Sequence, residues 1–185
     1  RPDDLIELLD RRAAALGAAP AVVDQRRAST SYVFGDIHGC ASSLASALDA
    51  VRADQSWHGR GRSGLRASPA MIFNGDFVDR GESSVEVLSS LLLLRHVDPR
   101  NVVLLRGNHE DELLSTAYGF RDELTEKYGV QGSARLWSPI SRLFAALPLG
   151  ARIGADGFVV HGGVHDPALR IDDIDAALSP EVRAR

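Results

Sequence analysis

Four glycine-bearing blocks concentrate the residues that could do chemistry: GDIHG at 35–39, GDFVDRG at 75–81, RGNHE at 106–110 and HGG at 161–163. Each follows a short apolar run. Glycine in such loops lets the backbone take positive φ and lets a bound group approach closely. Asp36, His38, Asp76, Asn108 and His161 form a mixed oxygen and nitrogen donor set suited to Mn²⁺, Fe or Zn²⁺. No thiolate cluster competes, because Cys40 is the single cysteine. Carboxylates a few ångströms apart oppose one another's ionisation, and divalent cations resolve that conflict. Two metals about 3.5–4 Å apart would activate a water and stabilise both oxygens of an in-line displacement. The planar fork of Arg80 matches a phosphate bidentately. His109 could give a proton to a leaving oxygen, provided Asp79 orients its ring and favours its charged form. Turn propensity explains Asp, Asn and Gly in loops. It does not explain why His38, His109 and His161 all fall in them.

Elements that could carry these loops are legible on either side. Leu5, Leu8, Leu9 and Leu16 share a helical face over 3–16, with Asp3 and Asp4 at its amino end. SYVF at 31–34, AMIF at 70–73 and NVVLL at 101–105 read as strands. Between them, Leu44, Ala47, Leu48 and Val51 repeat at helical spacing behind a cap at Ser42 or Ser43, and a second helix is predicted over 83–96. Two helices fill most of 111–147. ARIGADGFVVHGG then predicts a hairpin turning at Asp156-Gly157. Strands alternating with helices favour a parallel sheet covered by helices, in which ligands collect at the carboxyl ends of the strands. The four blocks lie at those ends.

The 185 residues suffice for one domain that buries roughly 70% of its unfolded surface. A net charge of -4 argues against a general nucleic-acid binder. The longest leucine run, Leu91 to Leu94, is too short to span a bilayer. One cysteine suggests a reducing compartment, cytoplasmic or nuclear. Arg106 is expected in a structural ion pair, and Cys40 as a small buried residue at a helix start. His58 and His96 are expected at the surface, and the segment 56–69, rich in glycine, serine and arginine, as a solvated loop.

GDIHG, GDFVDRG, RGNHE and HGG, in this order, resemble the signature blocks of the phosphoprotein phosphatase family of serine/threonine phosphatases. IFNGDFVDRG, RGNHED, YGF at 118–120 and LPLG at 147–150 are most similar to the branch whose members carry tetratricopeptide or EF-hand segments, neither of which occurs here. The resemblance implies an α/β (α+β) calcineurin-like metallophosphoesterase fold, a central β-sandwich flanked by helices. Residues 1–30 would be a helical lead-in and 31–185 the amino-terminal part of the catalytic domain. It implies one metal held by Asp36, His38 and Asp76, and a second bridged by Asp76 and held by Asn108 and His161. Arg80 and Asn108 would contact the phosphate, with His109 and Asp79 managing the proton. The activity implied is hydrolysis of phosphoserine and phosphothreonine in proteins by a metal-bridged water. A small-molecule phosphoesterase of the dinucleoside polyphosphate type, or an inactive binding module, are the alternatives. Family members carry a further histidine ligand and a second phosphate-binding arginine well downstream of HGG. The sequence stops at Arg185, so a fragment with an incomplete second sheet is expected.

Overall fold

A computed structural model describes residues 1–54, 69–164, 166 and 168–177. His58, His165 and the loop over 56–69, Pro69 apart, lie outside them. Among the described residues, helices α1 (Pro2–Gly17), α2 (Ala41–Ala53), α3 (Ser84–Val97), α4 (Glu112–Ala117), α5 (Phe120–Ala146) and α6 (Ile171–Ala177) accompany six strands. These are β1 (Val22–Gln25), β2 (Ser31–Phe34), β3 (Ala70–Phe73), β4 (Val102–Leu104), β5 (Gly150–Ile153) and β6 (Gly157–Val160). One sheet runs β2-β3-β4, all parallel; the other runs β1-β5-β6. β1 is parallel to β5, whereas β5 and β6 are antiparallel. None of the helices is long and apolar enough to cross a membrane.

Strand alternation divides the apolar side chains between two cores, because successive residues point to opposite faces. Met71, Phe73, Val102 and Leu104 face the helices and join Leu9, Leu16, Leu91, Phe120, Leu136 and Phe144. Ile72 and Val103 face the other way, where Leu105 and Ala151 meet them with Val23, Ile153 and Val159 packed around. That second cluster is the seam between the two sheets. β3 lies in the middle of its sheet and is apolar on both faces, as a doubly covered parallel strand must be.

Four local features differ from the sequence pattern. β1 falls in a stretch with no strand predicted, since VVDQ offers only two adjacent apolar residues and gains its place by pairing with β5. The hairpin turns over residues 154–156, with Gly154 at φ 54, and Gly157 already pairs with Ile153 in the ladder. Neither Ser42 nor Ser43 caps α2; Cys40 holds that position, half-buried, without a side-chain cap bond. α5 is two helices merged across a break at Gly129 (φ 71, ψ 168). α3 has a cap that comes from elsewhere in the chain. The Glu123 carboxylate on α5 accepts hydrogen bonds from Ser84 N and Val85 N, both at 2.9 Å.

Candidate metal centre

Register explains why the loops meet. Phe34 pairs with Phe73, and Phe73 with Leu104, so three parallel strands release their chains at one level. The loops then lock together through the backbone. Ile37 N and His38 N both donate to the Asp76 carbonyl, at 3.0 and 2.9 Å, and Gly39 N donates to Phe77 O at 2.9 Å. Gly75 and Gly107 let the second and third loops touch, since a Cβ on either would run into the backbone of the other loop. His38, Asp76, Asp79 and Arg80 have φ of 45°, 53°, 72° and 65°, the only positive values at non-glycine residues among those described. Left-handed backbone costs roughly 1–2 kcal/mol at such a residue. Here it falls solely on candidate site residues, the pattern expected where surrounding structure over-determines a working conformation.

The two histidines closest to Asp76 Oδ2 are oriented alike. His38 Nδ1 lies 2.9 Å from Val78 O, and His161 Nδ1 lies 2.7 Å from Asn74 O. A carbonyl can only accept, so each ring carries its proton on Nδ1 and presents the Nε2 lone pair inward. His38 Nε2 is buried and has no hydrogen-bond partner among the described residues. It sits 3.6 Å from Asp76 Oδ2 and 3.8 Å from Asp36 Oδ2. His161 Nε2 is 3.4 Å from the same Asp76 oxygen and 2.9 Å from Asn108 Oδ1. The donor atoms of Asp36, Asp76 and His161 lie within 4.8 Å of one another, as do those of His38, Asp76 and His109. Lone pairs therefore converge on one buried carboxylate oxygen with few protons to satisfy them. Divalent cations fit that arrangement, and the Nδ1–H···O=C bonds are the outer support that imidazole ligands ordinarily have.

Beside this cluster, His109 Nδ1 is 2.6 Å from Asp79 Oδ2, and both side chains are almost wholly buried. Phe120 N donates to the other Asp79 oxygen at 3.0 Å. Arg80 Nη2 lies 3.3 Å from His109 Nε2; a guanidinium can only donate, so Nε2 accepts and Nδ1–H faces Asp79. Tyr118 packs edge-on to the His109 ring at 5.0 Å, and its carbonyl accepts Arg80 N at 3.1 Å. All eight predicted residues, Asp36, His38, Asp76, Asp79, Arg80, Asn108, His109 and His161, thus gather at one end of the sandwich.

Glu110 is a site residue that the sequence pattern leaves without a task. It is fully buried and accepts from Asp76 N, Phe77 N and Gly107 N at 2.7, 2.8 and 2.8 Å. Burial pushes its carboxyl up to about 7, with the Phe77, Gly107 and Asp76 amides pulling against that. Its only sequence signal is an acid directly after His109 in a block that already has its charges explained. Arg106 donates through Nε to Glu110 O at 3.0 Å and reaches Asp111 at 4.0 Å, a structural pairing. The Cys40 thiol is lowered to about 7, first by the Ser42 hydroxyl and then by that of Ser43.

A two-layer fold with aspartate, histidine and asparagine at the strand ends defines a metallophosphoesterase-type centre. A family profile described as calcineurin-like phosphoesterase matches residues 30–181. The PP2A-like serine/threonine-protein phosphatase PPG1 of Candida albicans is 48% identical over 105 residues, 57% of this chain and 25% of its own length. The serine/threonine-protein phosphatase with EF-hands 2 of Mus musculus is 44% identical over 97 residues, 52% of this chain and 13% of its own. A solved serine/threonine phosphatase from Saccharomyces cerevisiae, described as similar to human phosphatase PP5, superposes with a TM-score of 0.74 at 29% identity. That alignment covers 95% of this chain and 52% of the yeast one. The chain belongs to the calcineurin-like phosphoesterase family, in its phosphoprotein phosphatase branch. It spans about half the length of the yeast protein and a quarter or less of the two curated relatives.

Proposed function

We propose that the chain carries the metal-binding and proton-donating part of a serine/threonine-protein phosphatase, acting on phosphoserine and phosphothreonine in proteins. The observation that carries this is the unbroken line Asp79–His109–Arg80 running beside the Asp76 donor cluster. Asp36, His38 and Asp76 would hold one divalent ion, and Asp76, Asn108 and His161 a second. Mn²⁺ is the first candidate, and Fe and Zn²⁺ also suit these donors. Bound there, such ions supply Lewis acidity, acidifying water and neutralising phosphoryl charge.

The protein's own groups do the rest. Arg80 is exposed and free to swing its guanidinium from His109 Nε2 onto the phosphoryl oxygens, where a planar fork binds two at once. The Asn108 amide, beside His161, would offer the phosphate a second contact. Once Arg80 has left Nε2 and that nitrogen has taken up a proton, His109 delivers it to the serine or threonine Oγ as the P–O bond breaks and water supplies the replacing oxygen. Asp79 keeps the ring oriented and stabilises its charged form from the Nδ1 side. No covalent intermediate with a side chain is required.

The test is hydrolysis of a phosphothreonine peptide by the Mn²⁺-loaded protein, set against diadenosine tetraphosphate. Turnover of the peptide alone supports the proposal, and preference for the dinucleotide overturns its substrate class. Ion binding with no turnover of either identifies a phosphatase-like binding module instead. His109→Ala should lower peptide turnover by about 10²–10⁴-fold, the usual range for a lost general acid. Bound Mn²⁺ should stay unchanged; an emptied site would rule out the proton-donor role.

A further inference from the structure

We infer that Glu110, whose two carboxylate oxygens are both taken by backbone amides, is the positioning residue that sets metal affinity. The inference rests on the proposed role of Asp76 as a ligand. Glu110 Oε2 accepts Asp76 N at 2.7 Å and Gly107 N at 2.8 Å, one amide from the loop after β3 and one from the loop after β4. Oε1 takes Phe77 N at 2.8 Å. The tie is reciprocal, because Asp76 Oδ1 accepts His109 N at 3.0 Å from the loop that carries Glu110. Each loop thus sends one carboxylate into the other's backbone.

Two consequences follow for Asp76. Its backbone is held at φ 53, a conformation an aspartate does not favour, by an anion drawn against its amide. Its Oδ1 is fixed on His109 N, which leaves Oδ2 directed at His38 Nε2 and His161 Nε2. A carboxylate suits this position because it only accepts, and three donors converge on it. Glutamine must turn an NH₂ group toward at least one of them.

Mn²⁺ affinity of the purified chain, measured by equilibrium dialysis with metal analysis, tests the inference. Glu110→Gln should weaken binding about 10–100-fold, the range typical of outer-shell partners. Glu110→Asp, one methylene shorter, should weaken it as well. Leu136→Ala in the helical core serves as the comparison. It should lower thermal stability while leaving Mn²⁺ affinity within about twofold, so that loss of stability and loss of affinity are separable. Affinity for Mn²⁺ within about twofold of wild type in a folded Glu110→Gln protein overturns the role of Glu110 alone. A wild-type chain that binds no Mn²⁺ overturns the metal site and this inference together. Should neither Glu110 variant fold, hydrogen exchange on the wild type decides. The Asp76, Phe77 and Gly107 amides should exchange far more slowly than other loop amides, and rapid exchange at all three overturns the tie.

Discussion

Every polar atom of Asp76 but one is committed within the protein. Its amide goes to Glu110, its carbonyl to Ile37 N and His38 N, and Oδ1 to His109 N. Oδ2 alone is left for the centre. Asp79 is committed in a different direction, with one oxygen on His109 and the other on Phe120 N. The two aspartates, three residues apart, should therefore fail differently. Asp76→Asn places a donor either against His109 N or among the imidazole lone pairs, and Mn²⁺ bound per chain should fall close to zero. Asp79→Asn should keep its full Mn²⁺ complement and lose about 10²-fold or more in peptide turnover. Metal analysis and steady-state kinetics on the same samples separate the two; identical losses would mean that the pair does not divide metal and proton duties. At this scale the donors were readable because each sits in a glycine-flanked loop after an apolar run. Glu110 and Glu123 were not readable. Apart from Gly107 N in Glu110's own loop, the amides they accept come from other segments, and no spacing of side chains encodes those.

Elements were legible in proportion to how much apolar patterning they carry. β2, β3, β4 and the helices between them show it, and they build the sheet that releases three of the four loops. β1 does not, because a strand made of VVDQ owes its existence to the β5 edge it completes rather than to its own residues. The start of α3 is a similar case. Its first amides are satisfied by Glu123 from α5, which also lies 2.9 Å from Lys127, while the Ser84 hydroxyl accepts Asp79 N at 3.2 Å. One buried carboxylate on a distant helix thereby stands behind the residue that orients His109. Glu123→Ala leaves two buried amides without acceptors and should destabilise the fold by about 1–3 kcal/mol. Urea unfolding checks this. A change below about 0.5 kcal/mol would show that the α3 terminus finds another partner.

For the molecule as a whole, the centre is only as good as the seam between the sheets. Asp36, His38, Asp76 and Asn108 leave the β2-β3-β4 sheet, whereas His161 follows β6 in the other. What joins them is the small cluster of Ile72, Val103, Leu105 and Ala151, together with the bonds of His161 Nδ1 to Asn74 O and Arg106 N to Pro148 O and the approach of His161 Nε2 to Asn108 Oδ1. Ile72 is wholly buried there, and Ile72→Ala should cost about 2–5 kcal/mol through lost transfer energy and the cavity left behind. The sharper expectation concerns the metals. Partial collapse of the seam shifts His161 relative to Asp76 and Asn108 but leaves Asp36, His38 and Asp76 on one sheet, tied by their own backbone bonds. In a titration that resolves two Mn²⁺ ions, the ion assigned to Asn108 and His161 should therefore weaken more than the one assigned to Asp36 and His38. Equal weakening of both would place control of the centre in the loops themselves, and the packing of the two sheets would then have no special hold on the second ion.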